Sequence, residues 1–366
     1  MSKRTLGFIG VGVLLELTGT VSANAGTSLM LTTGIHLVFL NFFIGLVESG
    51  LIAPFSRKTW WWLKVPGIIV LGNYFAGGIG YSLLVPALRG IAASYLAPDP
   101  LGRVSEVYDL SFLAMLCWSI VLEWPFVLWA LGKRKHRVLM SVLLVVFAQV
   151  ISYFLILYPM YSNSSNTSLL HETRLDQSLV VDAPDIATIY YLGAADGDLY
   201  SIRLNRSNCR RLQELPDVPD SRLLWSRRAG ERWWDLTLDP QGEVLLPDFA
   251  GSRAVHCGVL RQQDGREIED LDFPGACRGR RNGEWEVAAG PCYWGYLRVF
   301  NKNPDRGYAL AMETPIIQWK ADFPSMLPGG LVLFQMDDMI LLLELRTKRI
   351  ALLARGRSPL LALDMK

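Results

Sequence analysis

Histidine is scarce in this chain, with four in 366 residues, and no chemistry is organised around it. The tail from Ser162 onward holds only His171 and His256. That tail has no His-Glu-x-x-His pair, no Cys-x-x-Cys pair and no phosphate-cradling glycine loop, which removes the common zinc, dithiol and nucleotide readings. His256 beside Cys257 is too little for a metal site, so no metal and no cofactor is assigned. Charge is scarce as well, but in one region only. Residues 1–160 contain 6 of the 34 acidic and 11 of the 36 basic side chains, which leaves 28 and 25 for the remainder. The first part is therefore apolar with net charge +5 and the second polar with net charge −3, from the same counts. Neither is the strong basic field that nucleic acid requires, so nucleic acid is excluded as a partner.

What the first part does have is long apolar runs. Lys3 and Arg4, an apolar core from Leu6 to Leu17, and Ala23-Asn24-Ala25 make a secretory signal peptide over residues 1–25. An uncleaved signal anchor is the alternative, because Glu16 interrupts the core. The GFIGVG run lies inside that core and not after a strand, so it is no dinucleotide loop. Four spans of helical length follow within residues 26–160: Met30–Ala53, Val65–Leu88, Asp109–Leu131 and Val138–Tyr158. The joints carrying Arg57, Lys58 and Lys64, and Lys133, Arg134, Lys135 and Arg137, are the basic ones. By the positive-inside rule they face the cytoplasm, with Trp60, Trp61 and Trp62 at that interface. The chain is expected to be a multi-pass protein of the cell (inner) membrane, with the lipid bilayer as a partner. Residues 161–175 are then a linker, and 176–366 an extracytoplasmic domain.

The spans are not purely apolar. Asn41 and Glu48 are seven residues apart and share a helix face with Gly34 and Gly45. Gly72, Ala76 and Gly80 put a small face on the second span beside Asn73, and such faces let membrane helices approach closely. At the helical rise, Glu48 lies about 7.5 Å from the cytoplasmic end of its span, and Asn73 and Glu123 about 12 Å from theirs. Gln149 is slightly deeper. Asn41, Glu48, Asn73, Glu123 and Gln149 are therefore expected to form a polar layer inside the bundle. An isolated carboxylate there costs on the order of 2–3 kcal/mol or more, so each must pair, protonate or meet water. A structural network that locks the bundle and a proton or cation relay both satisfy that demand.

After residue 176 the pattern becomes short strands and turns at regular spacing, an all-β domain. IATIYYL, GAADG and DLYSIRL read as strand, turn and strand, and GGLVLFQMDDMILLLELRTKRIALLARG as three strands broken at Asp337-Asp338 and Arg346-Thr347-Lys348. About five such units recur at roughly 40 residues each, the repeat of a propeller blade. The runs Asp196–Ile202 and Met336–Leu342 resemble the turn-and-strand of β-propeller repeat proteins. The resemblance implies a propeller, with a twisted sheet or sandwich as the rival. Cys209, Cys257, Cys277 and Cys292 are an even set in an oxidising compartment and are expected to form two disulfides, with three pairings open.

Three functions follow from different classes. The first is a membrane-anchored extracytoplasmic binding or scaffolding protein that engages a protein partner through the β-domain. The second is a transport or signalling component using Glu48 and Glu123 as a proton or cation relay. The third, an enzyme with those two as acid and base, lacks a nucleophile or metal to accompany them. Orientation is open to direct measurement. Protease added to intact cells or spheroplasts is expected to remove the chain after Ser162 and leave the bundle. A tail digested only after lysis would reverse the topology.

Overall fold

The computed structural model describes residues 39–56, 61–133, 135–162, 165–215, 224–228, 234–238, 244–246, 253–255, 260–261, 267–268, 281–289 and 296–363. The proposed signal peptide and Cys257, Cys277 and Cys292 lie outside these residues. The chain divides into two compact units, one of residues 1–167 with 313–317, the other of 168–312 with 318–366.

The first unit is helical. Helix α1 is Asn41–Ile52, and Pro54 closes it into a short 3-10 turn. Helix α2, Trp61–Ile79, passes through a π-helical turn, Gly80–Leu84, into α3, Val85–Leu96. Helix α4 is Pro100–Leu131 and α5 is Arg137–Ile151, the latter followed by a second π turn at Ser152–Leu157. Three rods, Lys64–Leu96, Pro100–Leu131 and Arg137–Leu157, are long and apolar enough to cross a membrane, and Asn41–Phe55 is a shorter apolar helix. Three of the four expected spans thus have helices of spanning length and composition, and residues 30–38 of the first expected span lie outside the described residues.

The expected joint from Arg89 to Tyr108 is largely helical instead. Hydropathy stops a span at the first charges, whereas the backbone stops only at a cap. Here the cap is Asp99, whose side chain accepts from the Gly102 amide at 3.0 Å, with Pro100 fixing the first helical φ. Helix α4 ends at Gly132, whose φ of 65° suits a residue without Cβ.

The second unit is mostly β. Strands β1 (Ala187–Gly193) and β2 (Leu199–Arg203) form the hairpin read from the sequence. The three strands read from Gly329 onward are β4 (Leu331–Met336), β5 (Met339–Glu344) and β6 (Arg349–Leu363), and β3 (Ala321–Leu327), not expected from the sequence, precedes them in the same antiparallel succession. Asp337 and Lys348 take positive φ of 58° and 56° at the tight turns.

Residues 349–355 of β6 pair with β5 and residues 356–363 with β1. One strand thereby joins both halves into a curled, half-barrel sheet of nine strands. Gly356 sits at the join. A Cβ there would lie 2.6 Å from the Leu192 carbonyl oxygen and 2.3 Å from the Tyr191 ring. This sheet replaces the expected propeller, because propeller blades are separate four-stranded sheets and do not share a continuous strand. Two separate meanders, of three strands and of four, mimic the blade spacing in the sequence. The expected disulfide at Cys209 is also corrected. Its thiol is free and lies 3.6 Å from the Tyr191 hydroxyl.

In the helical unit, close approach depends on a missing side chain. A Cβ on Gly45 would lie 2.8 Å from Val70 Cα, so α1 touches the backbone of α2. Gly45→Ala is expected to destabilise the detergent-solubilised protein by about 1–3 kcal/mol through overpacking. Gly67→Ala, where nothing lies within 4 Å, should be neutral or stabilising. Thermal unfolding of the two variants checks the contrast, and equal effects would mean that the contact is slack.

Candidate functional site

One face of α1 is buried, with Asn41, Ile44, Gly45, Glu48, Ser49 and Ile52 recurring at helical spacing. The Gly45 contact holds α2 against this face one turn from Asn73. Helix α4 contributes Glu123 and α5 contributes Gln149, and all four polar residues are buried. Glu48, at 1% exposure, is as inaccessible as any core leucine.

These groups meet. Asn73 Nδ2 donates to Glu48 Oε2 at 2.8 Å and lies 3.4 Å from Glu123 Oε2. Gln149 Nε2 donates to Glu48 Oε1 at 2.9 Å and to Glu123 Oε2 at 2.6 Å. Ser152 Oγ donates to Glu48 Oε1 at 2.7 Å. Asn73 Nδ2 and Gln149 Nε2 each reach both Glu48 and Glu123, so the two carboxyl groups stand side by side. Two buried carboxyls this close repel when both are ionised, which favours a proton on the pair. The arrangement resembles other carboxyl pairs that share a site and a proton.

Of the five residues singled out from the sequence, four join this cluster. Asn41 does not. It sits two turns along α1 from Glu48, and its Nδ2 is buried without a partner. Ser152, a polar residue of the fourth span together with Gln149 and Tyr153, joins the cluster although it is not among the five. It is one turn from Gln149, and that spacing was the available signal. A second polar contact, Ser119 Oγ to Tyr153 OH at 2.8 Å, lies one turn from Glu123 on α4. Among the described residues, no group of three or more His, Cys, Asp or Glu side chains could hold a metal.

Beside the cluster lies a cavity of about 140 Å³ within the helical unit. Glu123, Asn73 and Gln149 form its polar end, and Glu48 stands behind them. Tyr108, Phe112, Met115, Trp118 and Ser119 continue the wall along one face of α4. The segment 314–317 lines it too, and Arg89 Nε donates to the Pro315 carbonyl at 2.8 Å. Gly80, in the first π turn, leaves room for the Trp118 indole, which would be 3.4 Å from a Cβ there. Single π turns inside α-helices are frequent at functional sites, and the turns at Gly80–Leu84 and Ser152–Leu157 both line the cavity, one through Gly80, Tyr81 and Leu84 and the other through Tyr153 and Leu157.

Removing Glu48 tests how far the cluster supports the bundle. Glu48→Leu strips Ser152 of its acceptor and weakens the bonding of Asn73 and Gln149, a cost of about 1–3 kcal/mol for each buried group left unpaired. Glu48→Gln keeps the shape and one acceptor, so its loss should be clearly smaller. Melting in detergent ranks the two variants, and a Leu variant as stable as wild type would mean the cluster carries no stability. No protein-family model matches the chain, and neither a curated protein nor a solved structure is detectably similar to it.

Proposed function

We propose that the chain is a multi-pass membrane protein, a transport or signalling component that exchanges protons at the Glu48–Glu123 pair and carries its β-domain on the extracytoplasmic side. The membrane reading is supported by an inverted distribution of polarity. Leu155 is 72% exposed and Leu139 and Leu143 62% each, while Glu48 and Gln149 are buried at 1%. Hydrocarbon stabilises that pattern and water does not. Orientation rests on the two basic joints.

Proton exchange is carried by one observation: of two buried carboxyl groups that share the donors Asn73 and Gln149, one, Glu123, is on the wall of a cavity. A network that only locked helices together, or a bundle that only anchored the β-domain, would gain nothing from that opening. Ionisable groups buried within membrane helices are costly and usually functional. Glu123 would be the group that meets the incoming or leaving proton, and Glu48 the one that holds it. Asn73, Gln149 and Ser152 position them.

Infrared spectroscopy of the purified protein tests this directly. A protonated carboxyl stretch is expected in wild type and lost in the Glu48→Gln, Glu123→Gln double variant. On transfer to deuterated buffer it should shift while the helical amides still retain hydrogen. A band that is absent, or that shifts only as the amides exchange, would show a sealed structural pair and overturn the proposal.

A further inference from the structure

The cavity has its own chemistry, apart from the carboxyl pair at its end. Three donors in it have no partner: Asn41 Nδ2, Tyr108 OH and Trp118 Nε1. Asn41 and Tyr108 are only 6% and 8% exposed, so water outside the protein does not satisfy them. A buried donor left unpaired is costly, which makes three in one cavity a demand for acceptors. Apolar wall is supplied by Ile44, Leu84, Val85, Phe112 and Leu157, beside the hydroxyls of Ser111, Ser119 and Thr314.

Shape narrows the occupant. Tyr108, Phe112, Met115, Trp118 and Glu123 follow one face of α4 at intervals of three to five residues. Fifteen residues separate the first from the last, about 22 Å at the helical rise. At about 140 Å³ the cavity holds only a short length of an occupant, so a longer chain must continue out of it along that wall.

Charge narrows it further. No Lys, Arg or His is among the residues lining the cavity, so an anionic head would be buried without a counter-charge. The one acidic group, Glu123, already accepts from Gln149 at 2.6 Å and lies 3.4 Å from Asn73 Nδ2, so it has little to offer a cation.

We infer that the cavity binds an uncharged hydrocarbon chain bearing carbonyl oxygens, with the chain along the apolar wall of α4 and the oxygens accepting from Asn41, Tyr108 and Trp118. An ester lipid and a prenylated quinone both present that chemistry. The inference deepens the proposed membrane function and rests on the bundle being membrane-embedded, but not on proton exchange.

A diazirine-bearing fatty acid methyl ester, photolysed with the full-length protein in detergent, tests it. Adducts are expected on Phe112 and Met115. Methyl laurate should displace the probe about fivefold to tenfold better than dodecane, the effect of roughly one net hydrogen bond. Dodecylammonium and laurate should do no better than dodecane. Decylubiquinone run beside methyl laurate tells a ring ketone from an ester, and either one winning over dodecane supports the class. The double variant Tyr108→Phe, Trp118→Phe should remain folded, since neither donor has a protein partner, and should lose the preference for the ester. Adducts confined to the outward Leu113 and Val121 would mean that the chain only solvates the bundle. An ionic competitor that outperforms the ester, or a preference that survives in the double variant, would overturn the assigned chemistry. Infrared exchange at the carboxyl pair, read on the same preparation, separates the two proposals. Exchange with no cavity adduct removes this inference alone, and an adduct without exchange removes only the proton reading.

Discussion

The hydrogen bonds around Glu48 are the constraint on which the helical unit is built. A carboxyl taken out of water must regain its partners, and Glu48 does so from three directions through Asn73, Gln149 and Ser152. Those donors belong to α2 and to α5 with its π turn, so satisfying one side chain fixes the rotation of two other helices about their axes. Helix α4 is fixed by Glu123 in the same way. Apolar packing around Ile52, Val65, Ile69, Val127 and Val145 supplies contact area but would tolerate many rotations. The polar bonds tolerate few.

Glycine makes this arrangement possible. Gly45 brings α1 onto α2, and Gly72 meets Phe126 Cβ at 3.0 Å when given a Cβ, so α2 is close to α4 as well. Larger side chains at either place would separate the helices that the hydrogen bonds draw together. Farther along the same helices the packing loosens into the cavity, where Gly80 and Ala76 line one wall. The small-residue face thus serves tight contact at one level and open volume at another.

Much of the cluster was legible in the sequence because a helix converts residue counts into depth. Glu48, Asn73, Glu123 and Gln149 could be set at similar levels from the span ends alone. Asn41 shares the face of Glu48 but not its level, and a face argument without a depth argument put it in the wrong group. Ser152 was legible as a polar residue one turn from Gln149, but its bond to Glu48 was not. The joint before Tyr108 was misread since charge ends a hydropathy window but not a helix. In the β-unit, local hairpins were legible from turns such as Asp337-Asp338, whereas the assembly was not. Regular spacing shows how often the chain reverses, but not that β6 is long enough to pair with two strands in succession. That depends on Gly356, whose role is visible only once Tyr191 and Leu192 stand opposite it.

The segment 313–317 belongs to the helical unit although more than 140 residues separate it from the preceding part of that unit. The polypeptide therefore leaves the bundle, builds most of a second unit, and returns before it is finished. A ribosome that has released the helices has not yet made the piece that Arg89 grips through the Pro315 carbonyl. The bundle cannot reach its final form until most of the β-unit has been synthesised. Maturation of the two units is tied together by the order of translation, and a chain cut short in the β-unit would leave an incomplete bundle as well.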